Sequence, residues 1–123
     1  MRIGELAERA HVTARTVRYY ESIGLIPVGQ REGAGQHYYS EETVARLRKI
    51  EQLKALGLSL EEVRGVIDLY FTDPSGVRAK EKVVSMLRTH LAHVEEKADA
   101  LNQVRAELCA HIERFERWLR EKR

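Results

Sequence analysis

The sequence predicts a mainly α-helical chain: a small N-terminal domain of short helices carrying a β-hairpin, then one long C-terminal helix fit for an antiparallel coiled coil. Three observations predict it. Residues 1–70 are dense in helix-starting hydroxyls and helix-stopping glycines. A glycine-punctuated stretch, Gly29 to Tyr39, separates two short extended pieces. From Val77 to Arg123 there is neither Pro nor Gly, while apolar residues recur in alternating steps of three and four.

The first helix covers about Gly4 to Ala10, with Leu6, Ala7 and Ala10 as its apolar stripe. After a tight turn, the hydroxyl of Thr13 caps a second helix, and Gly24 stands where a left-handed residue ends it. Leu25-Ile26-Pro27 leads out extended. The pieces flanking Gly33-Ala34-Gly35 then form the hairpin. Ser40 caps a third helix with Val44, Leu47, Ile50, Leu53 and Leu56 inward, and Gly57 stops it. Ser59 and Glu62 make a capping box for a fourth, which runs to about Tyr70 with Val63, Val66 and Ile67 inward. The turn-rich Thr72-Asp-Pro-Ser-Gly76 marks a boundary: a domain over 1–70, a linker over 71–76 and a long helix over 77–123.

In that last helix, positions 84, 87, 91, 94, 98, 101, 105, 108, 112, 115 and 119 form about five heptads of seam, broken only by Arg105. A helix of this length would reach roughly 65 Å, beyond what a domain of 70 residues can cover. The exposed seam needs a partner, and a second copy is the simplest. Leu87, Leu91, Val94, Ala98, Leu101, Leu108, Ile112 and Phe115 are the expected dimerisation residues, with Leu87 opposite Leu108 and Val94 opposite Leu101.

Composition narrows the function. Residues 1–70 hold ten basic and ten acidic side chains, so a nucleic-acid footprint must come from local placement of charge. One cysteine, Cys109, excludes an internal disulfide and a multi-cysteine metal cage within one subunit; beside the seam it reads as a small apolar filler. No apolar run approaches the roughly 20 residues of a membrane span, and a soluble, cytoplasmic chain without membrane contact is expected. No Gly-rich phosphate loop, nucleophile–base pair or paired carboxylates suggest an enzyme, and no cofactor is expected.

What the residues do suggest is groove reading. Thr13 to Gly24 places Arg15, Arg18, Tyr19 and Tyr20 on one helix face, with Val17 and Ile23 free to point inward. Guanidinium forks and phenols are groups that grip phosphates and base edges. With the preceding helix the segment reads as a helix-turn-helix whose second helix enters a DNA groove.

At Ile3-Gly-Glu-Leu-Ala7, Thr16-Val-Arg-Tyr-Tyr-Glu21, Gly24-Leu-Ile-Pro27, Tyr39-Ser40 and Leu56-Gly-Leu-Ser-Leu-Glu-Glu-Val63, the chain resembles MerR-type transcription regulators over nearly its whole length. The resemblance implies a winged helix-turn-helix and an antiparallel coiled-coil homodimer. It also implies a pseudo-palindromic promoter with an over-long spacer, twisted and bent so that RNA polymerase can use it. The expected DNA contacts are Thr13, Arg15, Thr16, Arg18 and Tyr19 on the recognition helix and Arg31, His37 and Tyr38 on the wing; Tyr20 packs or touches backbone, and Tyr39 turns inward. His37 stands where the family often has arginine, so the wing's phosphate grip should be weaker and should strengthen as the imidazole protonates. Metal-sensing relatives place a cysteine at the start of the long helix, where this chain has Lys80; aldehyde-sensing relatives place one where it has Gln52. Neither effector is expected, no drug-binding domain is expected, and no residue pattern names a small-molecule effector. An architectural DNA-bending or coiled-coil interaction protein that does not act through polymerase is the alternative.

Overall fold

The structure, a computed structural model, describes residues 1–33 and 35–123, and they divide into two compact units, Met1–Val83 and Val84–Arg123. The first begins with α1 (Ile3–Ala10) and α2 (Ala14–Ser22). Leu6, Ala7 and Ala10 of α1, and Val17 and Tyr20 of α2, are buried. Between the helices His11 takes a left-handed conformation (φ 58°); its N–H bonds the Glu8 carbonyl, and that of Val12 the Ala7 carbonyl. The Thr13 hydroxyl then accepts the Thr16 N–H at 3.0 Å, which starts α2. Gly24 (φ 74°) ends it: its N–H bonds the Glu21 carbonyl and that of Leu25 bonds the Tyr20 carbonyl, the paired bonds of a Schellman turn.

The chain next forms the wing, β1 (Gln30–Glu32) paired antiparallel with β2 (Gln36–Tyr38) in the register Gln30↔Tyr38, Arg31↔His37 and Glu32↔Gln36. In the expected Gly33-Ala34-Gly35 turn both glycines have positive φ, while Ala34 lies outside the described residues. The base of the wing is tied to the chain start. The Met1 ammonium donates to the Tyr39 carbonyl at 3.0 Å, and the Tyr39 N–H donates to the Met1 carbonyl at 2.7 Å.

Helix α3 (Glu41–Ala55) runs through the core, burying Val44, Leu47, Ile50 and Leu53. Burial of such side chains contributes roughly 1.5–3 kcal/mol each. Leu56, expected inward, is instead 54% exposed. The helix has ended there, Gly57 (φ 98°) turns the chain, and Leu58 takes the buried place at 4%. The Ser59–Glu62 capping box opens α4 (Leu60–Val66), which stops short of the expected Tyr70. Tightened bonds from the N–H groups of Tyr70 and Phe71 to the Ile67 and Asp68 carbonyls interrupt it, and α5 (Leu69–Thr72) follows. Polar pins hold these elements. Arg9 grips Glu41 through two bonds of 2.6 Å, Arg48 donates to the Arg9 carbonyl, and Arg46 donates to the Leu25 carbonyl and to Asp68, both at 2.8 Å.

The stretch 71–76, expected as a linker, lies inside the first unit, which continues through Val83. Asp73 makes it a tight turn: one carboxylate oxygen accepts the Ser75 N–H and hydroxyl, the other the Arg78 N–H. This starts α6 (Val77–Lys122), whose Ala79 and Val83 are buried. The second unit, Val84–Arg123, is the continuation of α6. Its apolar stripe is open to solvent, with Leu91, Val94, Leu101, Leu108, Ile112 and Phe115 each more than half exposed. No helix among the described residues is long and apolar enough to cross a membrane.

His11→Gly removes the cost of a side chain in left-handed conformation and should raise unfolding stability by up to about 1 kcal/mol, read as a higher Tm. The bonds to Ser75 and the Arg78 N–H hold the Asp73 carboxyl below the usual carboxylate range, so its contribution is present at neutral pH and fades as pH falls. Asp73→Ala should therefore lower Tm at pH 7, with a deficit that shrinks as the carboxylate protonates below about pH 4.

Candidate nucleic-acid interface

Two buried residues orient α2. Val17 and Tyr20 are 0% and 1% exposed, and the Tyr20 hydroxyl donates to Glu51 (3.2 Å) and accepts from Lys54 (3.0 Å). Burial and the Glu51 carboxylate push the Tyr20 phenol upward in pKa, against the opposing pull of Lys54. Tyr20 is therefore a packing residue and leaves the groove-reading face on which the helix pattern alone would put it. With that side inward, Arg15, Arg18 and Tyr19 must point out, and all three are exposed. Thr13 and Thr16 sit at the start of the helix, where their hydroxyls lie 3.0 Å apart and that of Thr13 also caps the backbone.

The wing supplies a second wall. A cleft of about 460 Å³ lies between it and α2, lined by Arg2, Ile3, Arg18, Glu21, Gly35, Gln36, His37 and Tyr39. The structure thus brings Arg18 and His37 to one cleft. Arg31 is exposed on β1, directly opposite His37. Tyr38 is placed apart from them, in a separate groove of about 340 Å³ with Pro27, Val28, Gln30, Ser40 and Thr43 among its walls. His37 is part-buried, and its ring Nδ1 lies 3.0 Å from the Gly29 carbonyl. Only a protonated Nδ1 can donate to that oxygen, which leaves Nε2 as the ring nitrogen able to meet a ligand.

The charges divide into two sets. Arg9, Arg46, Arg48 and Arg64 are committed to carboxylates or carbonyls of the fold. Among the described residues, Arg15, Arg18 and Arg31 have no ion pair and no guanidinium hydrogen bond. Their donors remain available for phosphate or base edges.

Three residues at this site were not singled out by sequence reasoning. Arg2 reaches the cleft mouth, where it donates to the Gln36 side chain at 2.6 Å. Glu21, in the last turn of α2, accepts the Tyr39 hydroxyl on one carboxylate oxygen and faces the Gly29 N–H at 3.4 Å with the other. Burial and this carboxylate together push the Tyr39 phenol far up. At Gly29 a Cβ would meet the Tyr39 ring at 2.8 Å and the His37 Cβ at 2.9 Å, so the crossing needs glycine. A signal for Glu21 was present in its position three residues after Arg18, on the same side of the helix.

Comparison with known proteins agrees with this geometry. The family described as MerR HTH family regulatory protein matches residues 1–69, and the one described as MerR, DNA binding matches residues 44–110. The chain is 36% identical over 108 residues to the HTH-type transcriptional regulator HmrR of Rhizobium leguminosarum bv. viciae, covering 88% of this chain and 81% of that one. It is 34% identical over 107 residues to the nodulation protein NolA of Bradyrhizobium sp. (strain NC92), covering 87% of this chain but spanning only 41% of that protein. Among solved structures it is similar to the transcription regulator PbrR691 from Ralstonia metallidurans CH34 in complex with lead(II), at 33% identity and a TM-score of 0.69, covering 88% and 81% of the two chains. The first match spans the helix-turn-helix and wing and the second reaches into the long helix, and with the relatives they show that the chain belongs to the MerR family of DNA-binding transcription regulators.

Proposed function

We propose that the chain acts as a homodimer on a pseudo-palindromic promoter and regulates transcription by distorting the spacer between polymerase elements. The observation that carries this reading is the trio of exposed, uncommitted arginines: Arg15 and Arg18 on α2, with Arg18 lining the cleft between α2 and the wing, and Arg31 on the wing. Helix α2 enters the major groove with Arg15, Thr16, Arg18 and Tyr19, Thr13 reaches phosphate at its start, and Arg31, His37 and Tyr38 follow the backbone. Two copies pair through the exposed stripe Leu87, Leu91, Val94, Ala98, Leu101, Leu108, Ile112 and Phe115 as an antiparallel coiled coil. The two-fold of that pairing makes the operator palindromic. Bending and untwisting the spacer costs energy that the contacts of two half-sites offset, and RNA polymerase reads the result.

The effector is not a soft metal. At the position where metal-sensing relatives carry a cysteine, the Lys80 ammonium lies 5.8 Å from the Tyr70 ring centre, with Lys49 at 4.6 Å from the same ring. Protonated amines do not ligate mercury, copper or zinc, and the chain's one thiol is Cys109.

Run-off transcription from a promoter with an over-long spacer containing an inverted repeat tests the regulatory reading. The protein should change transcript yield, Leu101→Glu should abolish the effect by breaking the dimer, and unchanged yield with wild type refutes it. Arg18→Ala should weaken operator binding by about 1–3 kcal/mol and relax one base position if the contact is to guanine. If the contact is to phosphate, it should weaken all duplexes alike and lower the salt slope by about 1.

A further inference from the structure

The geometry points to Glu21 as the positioning residue of the DNA interface, the group that fixes the wing against the recognition helix. The inference rests on the proposed interface and names what holds its two halves in register. A carboxylate is an unexpected neighbour for Arg18 and Arg2 on a surface meant for phosphate, since it repels the ligand. Its place is explained by what it holds. One oxygen accepts the Tyr39 hydroxyl from the residue that follows β2, and the other faces the Gly29 N–H just before β1. Both roots of the hairpin thus converge on one side chain of α2. The Gly29 carbonyl is in turn 3.0 Å from the His37 ring Nδ1, so the same knot orients the imidazole. Tyr39 is 7% exposed, and its ring packs where a Cβ on residue 29 would collide with it. Beyond this knot, the Met1–Tyr39 pair at its base and the Arg2–Gln36 bond, the wing is a two-stranded ribbon of three residues a side, a unit that is marginal in water without support. Its phosphate-facing groups gain from being held in place before binding, because ordering them on contact would subtract from affinity.

A bystander carboxylate and a positioning one differ in the sign of a measurable effect. Removing a mere repulsive charge tightens DNA binding. Removing the latch loosens it. Fluorescence titration of wild type, Glu21→Ala, Glu21→Gln and Tyr39→Phe on an inverted-repeat duplex, over a range of salt, separates the two. Glu21→Ala should bind about tenfold more weakly, the size expected for losing a hydrogen bond to a charged group. Its salt slope should fall in magnitude by about 1–2, because wing phosphates are no longer neutralised. Glu21→Gln keeps an acceptor for the Tyr39 hydroxyl and should recover most of the loss. Tyr39→Phe deletes only that hydroxyl and should shift affinity and salt slope in the same direction as Glu21→Ala, with the double variant no worse than Glu21→Ala. Ethylation interference should vanish at wing-side phosphates and persist along α2. Equal or tighter binding by Glu21→Ala with an unchanged salt slope overturns the inference, as does a wild-type salt slope in Tyr39→Phe. Should Glu21→Ala fail to fold, Tyr39→Phe decides alone. If Arg18→Ala also leaves binding untouched, it is the interface that fails; if Arg18→Ala weakens binding and the latch variants do not, only the role of Glu21 falls.

Discussion

On the proposed reading, the surface offered to DNA is set by what it hides. Helix α2 has nine residues, too few for a helix to persist in water by itself. It exists because Val17 and Tyr20 are driven out of solvent against the rest of the domain. Once those two are inward, the helical period leaves Arg15, Arg18 and Tyr19 no direction but out. The recognition face is thus a by-product of desolvation on the opposite side, and the cation and carboxylate that satisfy the Tyr20 hydroxyl make that burial tolerable.

Much of the N-terminal fold was legible because its punctuation is local chemistry. Thr13, Ser40 and Ser59 each cap the helix that follows, and Gly24 and Gly57 each end one in left-handed conformation. Such signals act over three or four residues and survive any tertiary context. Periodicity alone puts Leu56 inward because it continues the pattern one residue past Ala55, the end of α3, to the position just before Gly57 redirects the chain. The sequence draws the fourth helix too long because Ile67 to Thr72 holds no Gly or Pro, and nothing local announces the tightened turn. His11 carries a left-handed turn with no glycine to mark it.

Which side of α2 faces out was legible in the sequence, and the support of the wing only partly. A recognition helix shows itself through residue type and spacing within one element. The supports of the wing come from Met1, Glu21 and Gly29, and their partners are 8 to 38 residues away. No period in the sequence links such pairs. For His37 the structure adds what no residue pattern shows, that one ring nitrogen faces the backbone of its own domain.

The separation of the arginines into two sets has a consequence for how such a domain can change. Arg9, Arg46, Arg48 and Arg64 are tied into the scaffold, while among the described residues Arg15, Arg18 and Arg31 make no ion pair or guanidinium hydrogen bond. On the proposed interface, folding and target choice therefore draw on different side chains. A lineage can drift to new operators by exchanging the second group without crossing a valley of unfolded intermediates, and a library randomised at those three positions would sample binding preference on an intact frame.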